Sequence, residues 1–208
     1  MMTMKKKIDA IFNNKADVAG VLLFIAAIII FMGIITAESY YPLELSYTTR
    51  ENEISDLGAS EPPESIITQP SAAIFNTTML LTGLMILSAS VLIYYSSEKL
   101  YISAPLTFLG IGILGIGLFP GNITPYHSIF AFITFTSGGI GAILSFKTTR
   151  FPLKYVFPIL GVIALVFLFF NQLFIPYLGD GGTERFIAYP ILFWMAGFGI
   201  YLIEYTKK

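Results

Sequence analysis

Val21-Leu-Leu-Phe-Ile-Ala-Ala-Ile-Ile-Ile-Phe-Met-Gly-Ile-Ile35 is an unbroken apolar run, set in a longer stretch from about 16 to 37. A bilayer core of ~30 Å takes about 20 apolar residues as a helix, because backbone polar groups in lipid must be satisfied within the chain. A cleaved signal peptide has an apolar region of only ~7–15 residues, so the stretch reads as a retained membrane span. Five further stretches meet the same demand, at about 72–95, 103–119, 124–146, 155–177 and 183–204. The expectation is an all-α integral membrane bundle of six transmembrane helices, forming one domain over residues 1–208.

Composition agrees with that reading. The chain of 208 residues is 55% hydrophobic and 12% charged, against roughly 25% charged in soluble domains. It has no cysteine and one histidine, which excludes disulfides, thiolate chemistry and zinc sites of the Cys-rich kind. No glycine-rich phosphate motif follows a strand, and short connections leave little room for a nucleotide site. Nothing in the chain points to nucleic acid.

Lys5, Lys6, Lys7, Lys15, Lys99, Lys147, Arg150, Lys154, Lys207 and Lys208 fall on one side of the predicted spans, and only Arg50 and Arg185 on the other. Ten against two places both termini in the cytoplasm, since Lys and Arg concentrate on that side. The long connection 38–71 is then an outer loop. Its Ile-Ser-Asp-Leu-Gly at 54–58 and Glu-Pro-Pro-Glu at 61–64 favour ordered turns over a free linker. In the third helix, Gly110 and Gly117 share one face while Gly112 and Gly115 lie roughly opposite, which sandwiches that helix between two neighbours. Gly138, Gly139 and Gly141 make the fourth helix an expected partner.

With that sidedness, the polar groups able to do chemistry gather at the outer face. Ser55 and Asp56 lie in the loop, Asn76 early in the second helix, His127 at the start of the fourth, and Glu184 and Arg185 at the start of the sixth. Thr124-Pro125 reads as cap and first helical residue, placing His127 in a first turn where the helix dipole disfavours an added proton. A neutral imidazole suits a general base, a ligand or a hydrogen-bond partner. Glu184 complements the dipole of its helix; Arg185 opposes it and needs a partner, with Asp56 the natural candidate and Glu184 or a lipid phosphate as alternatives. Asn76 is expected to bond to the loop or a neighbouring helix.

Ile54-Ser55-Asp56-Leu57-Gly58, Phe75-Asn76, Phe119-Pro120 followed by His127, and Glu184-Arg185 together resemble domain of unknown function 998 across nearly the whole chain. The loop Ser-Asp-Leu-Gly followed by Pro-Pro-Glu is similar to the wider Frag1/DRAM/Sfk1 group of six-helix membrane proteins. That resemblance implies a lipid-related context and no particular reaction. The leading expectation is a multi-pass protein of the cell membrane whose outward pocket binds or organises membrane lipid. Arg185, Asn76 and Ser55 would contact the ligand. The alternative is a lipid-modifying hydrolase or transferase using His127 with Asp56 and Glu184 as catalytic residues. A histidine-rich zinc centre does not fit a chain with one histidine, so no metal is assigned and any cofactor is left open. An accessory role beside a membrane-protein partner is a further reading, as is transport. The helix centres carry no charge to support the last.

Overall fold

A computed structural model describes residues 14–97 and 99–205; Lys5, Lys6, Lys7, Lys207 and Lys208 of the charge count lie outside them. The described residues form six α-helices and no strand: α1 Lys15–Ser39, α2 Ser71–Ser97, α3 Leu100–Leu118, α4 Tyr126–Leu144, α5 Leu153–Phe169 and α6 Asn171–Tyr205. Five of them, all but α5, are long and apolar enough to cross a membrane. The chain is a helical membrane protein. Several helix hydroxyls are satisfied within their own helix: Thr36, Thr78, Thr82, Thr134 and Ser137 each donate to the carbonyl four residues earlier.

The last two helices differ from expectation. The fifth helix ends at Phe169 rather than near 177, and after a break at Phe170 a new helix begins at Asn171. Asn171 Oδ1 accepts the N–H of Gln172 at 2.8 Å, a local bond that starts the new segment. Phe167 stacks on Phe174 at 4.0 Å and on Phe186 at 4.7 Å, clamping the corner. The connection expected between the spans at 155–177 and 183–204 is helical apart from one residue, Gly179, whose φ of 74° kinks the path. A Cβ there would meet the carbonyl of Arg50, so the site needs glycine for conformation and for space.

Neighbouring helices pack in the order α1, α2, α3, α4, with α6 closing back on both α1 and α4. These five surround a central cavity to which α5 contributes no wall; α5 packs outside, against α4 and α6. The glycines of α3 sit between two neighbours as expected. A Cβ at Gly117 would lie 2.8 Å from the Asn76 carbonyl of α2, and one at Gly112 2.8 Å from the Thr134 nitrogen of α4. Helix α4 is one of those two neighbours, as expected; of its glycines Gly138 faces Ile191 and Gly139 faces Leu165, while Gly141 meets both Trp194 and Pro105 of α3. They seat α5 and α6 as well as α3.

One end of the bundle is basic. Lys15 lies over the Tyr95 ring at 5.5 Å, Lys147 over Tyr101 at 5.5 Å and Lys154 over Phe146 at 4.5 Å, the aromatic–cation dress of a membrane interface. The opposite end is plugged by the 40–70 segment. Ile54 and Leu57 are buried in the core cluster beside Phe75, and Ser71 Oγ donates to the Leu57 carbonyl at 3.2 Å.

Candidate functional site

The loop end is held together by Arg185. Its Nη1 donates to the carbonyls of Thr49 (3.0 Å), Asn52 (2.9 Å) and Gly181 (2.9 Å). Its Nη2 donates to Glu38 Oε1 at 2.6 Å and to the Tyr47 hydroxyl at 2.8 Å, and Tyr47 in turn donates to the Glu53 carbonyl. The partner is therefore Glu38, not Asp56. Glu38 is an acid in the last turn of α1, where the helix dipole disfavours negative charge, and a guanidinium relieves that cost. Asp56 is turned into its own loop: its carboxylate accepts the N–H of Glu53 at 3.0 Å. Burial raises the Asp56 pKa, and that hydrogen bond opposes the rise.

Glu184 precedes Arg185 by one residue and so points about 100° away around the helix. Its carboxylate accepts the backbone N–H of Ile54, and it lines the central cavity together with Ser55 and His127. The cavity is narrow, about 60 Å³, against ~10–15 Å³ needed for a single water. Its deeper walls are apolar, from Ile30, Met79, Ile113 and Ile191 among others.

A second space, a vestibule of about 260 Å³, adjoins it. Ser55, His127, Ala131, Phe135 and Glu184 line both. The vestibule adds Glu53, Glu61 and Asp180 at its polar rim, and Phe132, Leu168 and Ile187 along its apolar wall. Burial pushes the Glu53 carboxyl up to about 7, with the negative charges of Asp56, Glu61 and Asp180 adding to the effect.

His127 is buried, and its Nδ1 lies 2.8 Å from the Phe119 carbonyl. A carbonyl only accepts, so Nδ1 carries the proton and, in the neutral ring, Nε2 carries the lone pair. This bond also satisfies a carbonyl just past the end of α3. Thr124 does not cap α4; Pro125 occupies the cap position without a side-chain bond.

The structure thus brings Ser55, His127 and Glu184 to one pocket and leaves Asp56, Asn76 and Arg185 out of it. Asn76 lies against Gly58, where a Cβ would stand 2.5 Å from Oδ1, and that oxygen has no hydrogen-bond partner among the described residues. Glu53, Glu61 and Asp180 were not singled out by sequence reasoning. Their signal was the acidic bias of the loop end, visible in the chain but not resolvable into positions. No group of three or more His, Asp or Glu side chains able to hold a metal ion occurs among the described residues.

A family described as a protein of unknown function (DUF998) matches residues 18–201. No curated protein and no solved structure matches the chain.

Proposed function

The chain belongs to the DUF998 family, proteins of unknown function, and we propose that it binds or organises membrane lipid in the pocket at its loop end. One observation carries this reading. An acid-rimmed vestibule with an apolar wall shares Ser55, His127, Ala131, Phe135 and Glu184 with a narrow, mostly apolar cavity inside the helix ring. A polar headgroup at the rim and a hydrocarbon chain along the wall match that division, since each part exchanges its surroundings for similar ones. Headgroup capture by Arg185 is not part of the proposal, because its guanidinium is engaged by Glu38, Tyr47 and three carbonyls.

In this reading all six helices cross the cell membrane, α5 as the shortest, and the basic end faces the cytoplasm by the usual excess of Lys and Arg. The vestibule then opens at the outer leaflet. Kinship with the Frag1/DRAM/Sfk1 group belongs to the same proposal, supported by the loop motif at 55–58 and by Pro62-Pro63-Glu64.

The test is native mass spectrometry of the purified full chain against Ala131→Trp, which fills the wall common to both spaces. The parent retains lipid through detergent extraction and the variant loses it, while both keep the same thermal midpoint. Equal retention by the two proteins contradicts the proposal.

A lipid-modifying enzyme is the second reading, favoured by His127, whose Nε2 carries the lone pair of the neutral ring, lining the same pocket as Glu184. Asp56 would position the loop rather than touch substrate. On this reading, incubation with a lipid extract yields a product that the parent forms and His127→Gln does not; identical lipid profiles count against it.

A further inference from the structure

Charged side chains around the vestibule are of one sign. Glu53, Glu61, Asp180 and Glu184 line it, and no lysine or arginine does. The two arginines of that end are engaged elsewhere, Arg50 with Glu51 at 2.5 Å and Arg185 with Glu38 at 2.6 Å. Two of the lining hydroxyls are engaged, Ser55 Oγ donating to Glu53 Oε2 at 3.3 Å and Thr183 Oγ1 to the Gly179 carbonyl at 2.7 Å, while Ser128 and Asn171 complete the polar lining. His127, only 4% exposed, gives its Nδ1 proton to Phe119. The residue lines the vestibule, and in the neutral ring Nε2 is its remaining acceptor. A group of carboxylates with no counter-charge is costly.

The complement of such a surface is a cation rich in N–H donors. A metal ion does not fit, since no three ligating side chains converge among the described residues. The wall of Phe132, Phe135, Leu168, Ile175 and Ile187 calls for hydrocarbon on the same ligand. We propose that the vestibule binds a primary ammonium group carried on an apolar chain, with Glu53 and Glu184 as the charge partners and His127 Nε2 as a further acceptor. This rests on the amphiphile reading above and names its headgroup. Two sources offer the same chemistry: an aminoethyl lipid headgroup or a free long-chain amine.

The experiment equilibrates the purified full chain with mixed vesicles of phosphatidylethanolamine, phosphatidylglycerol and a neutral diglycosyl diacylglycerol of matched chains, and counts retained species by native mass spectrometry. A parallel arm adds dodecylammonium. Phosphatidylethanolamine is retained at least tenfold over the other two, and the Glu53→Gln/Glu184→Gln double variant brings the three to parity; Gln keeps an oxygen to accept the Ile54 N–H. Retention of dodecylammonium with no preference among the lipids, again lost in the double variant, supports the ammonium and assigns its source to free amines. Equal retention of all three lipids without amine binding overturns the ammonium proposal and leaves the amphiphile reading standing. A preference that survives in the double variant also overturns it. Retention of no lipid or amine by the parent overturns both.

Discussion

Arg185 is the residue on which the loop end turns, and sequence reasoning recognised only half of its role. A cation in the first turns of a helix needs a partner, and that much was legible. That the partner is Glu38, 147 positions away, was not, because Asp56 was the natural candidate, with Glu184 or a lipid phosphate as alternatives. Removing the guanidinium leaves a carboxylate at the end of α1 and three carbonyls without their donor. Arg185→Ala is expected to cost about 3–5 kcal/mol, read as a fall in thermal midpoint in detergent, with Glu38→Gln costing less because the carbonyl bonds survive. A midpoint unchanged in Arg185→Ala contradicts this role. Glu53 makes a different prediction. Its pKa of about 7 lies above the ordinary carboxylate value, through burial first and neighbouring acids second. The stability tied to its proton is fully present below the usual carboxylate range and is lost as pH rises through about 7. The parent should lose on the order of 2–3 kcal/mol between pH 5 and pH 8, and Glu53→Gln should flatten that slope. An equal slope in both proteins removes Glu53 from the account.

At the scale of elements, hydropathy marked the apolar stretches in which the α-helices of the described residues lie, because backbone satisfaction in lipid demands long apolar runs. It missed the break at Phe170. Residues 155–177 are nearly continuous in apolar character, and a window of bilayer length averages over one polar pair, Asn171-Gln172. The same averaging hid α5's place outside the ring. Glycine spacing was more informative. Opposed glycine faces on α3 implied two close neighbours, and α2 and α4 occupy them. Which helix the glycines of α4 serve could not be read from their own positions, since a flat face does not name its partner. Gly112→Ala tests this seam. Its Cβ would press on the Thr134 nitrogen at 2.8 Å and the Phe130 carbonyl at 3.0 Å, backbone atoms that cannot rotate away. A loss of about 1–3 kcal/mol is expected from forcing α3 and α4 apart; a neutral or stabilising effect means the two helices slide freely.

For the whole molecule, sidedness was the most productive inference from the sequence, since it gathered Ser55, His127 and Glu184 at one end before any contact was known. The pocket's acidic character was out of reach, because it depends on how the loop folds over the ring. The absence of cysteine makes orientation directly measurable. Glu64→Cys, at the loop end, is expected to react with a membrane-impermeant maleimide on intact cells, and Phe151→Cys, at the basic end, only after permeabilisation; the reverse pattern inverts the topology. The claim on which everything functional depends is that an amphiphile occupies the space between the acid rim and the helix ring. The most direct measurement is an electron cryo-microscopy map of the full chain in lipid nanodiscs. The account predicts elongated density that starts beside Glu53 and Glu184, passes Ala131 and follows the wall of Phe132 and Phe135. A map in which those side chains close on one another, with no density between them, contradicts it.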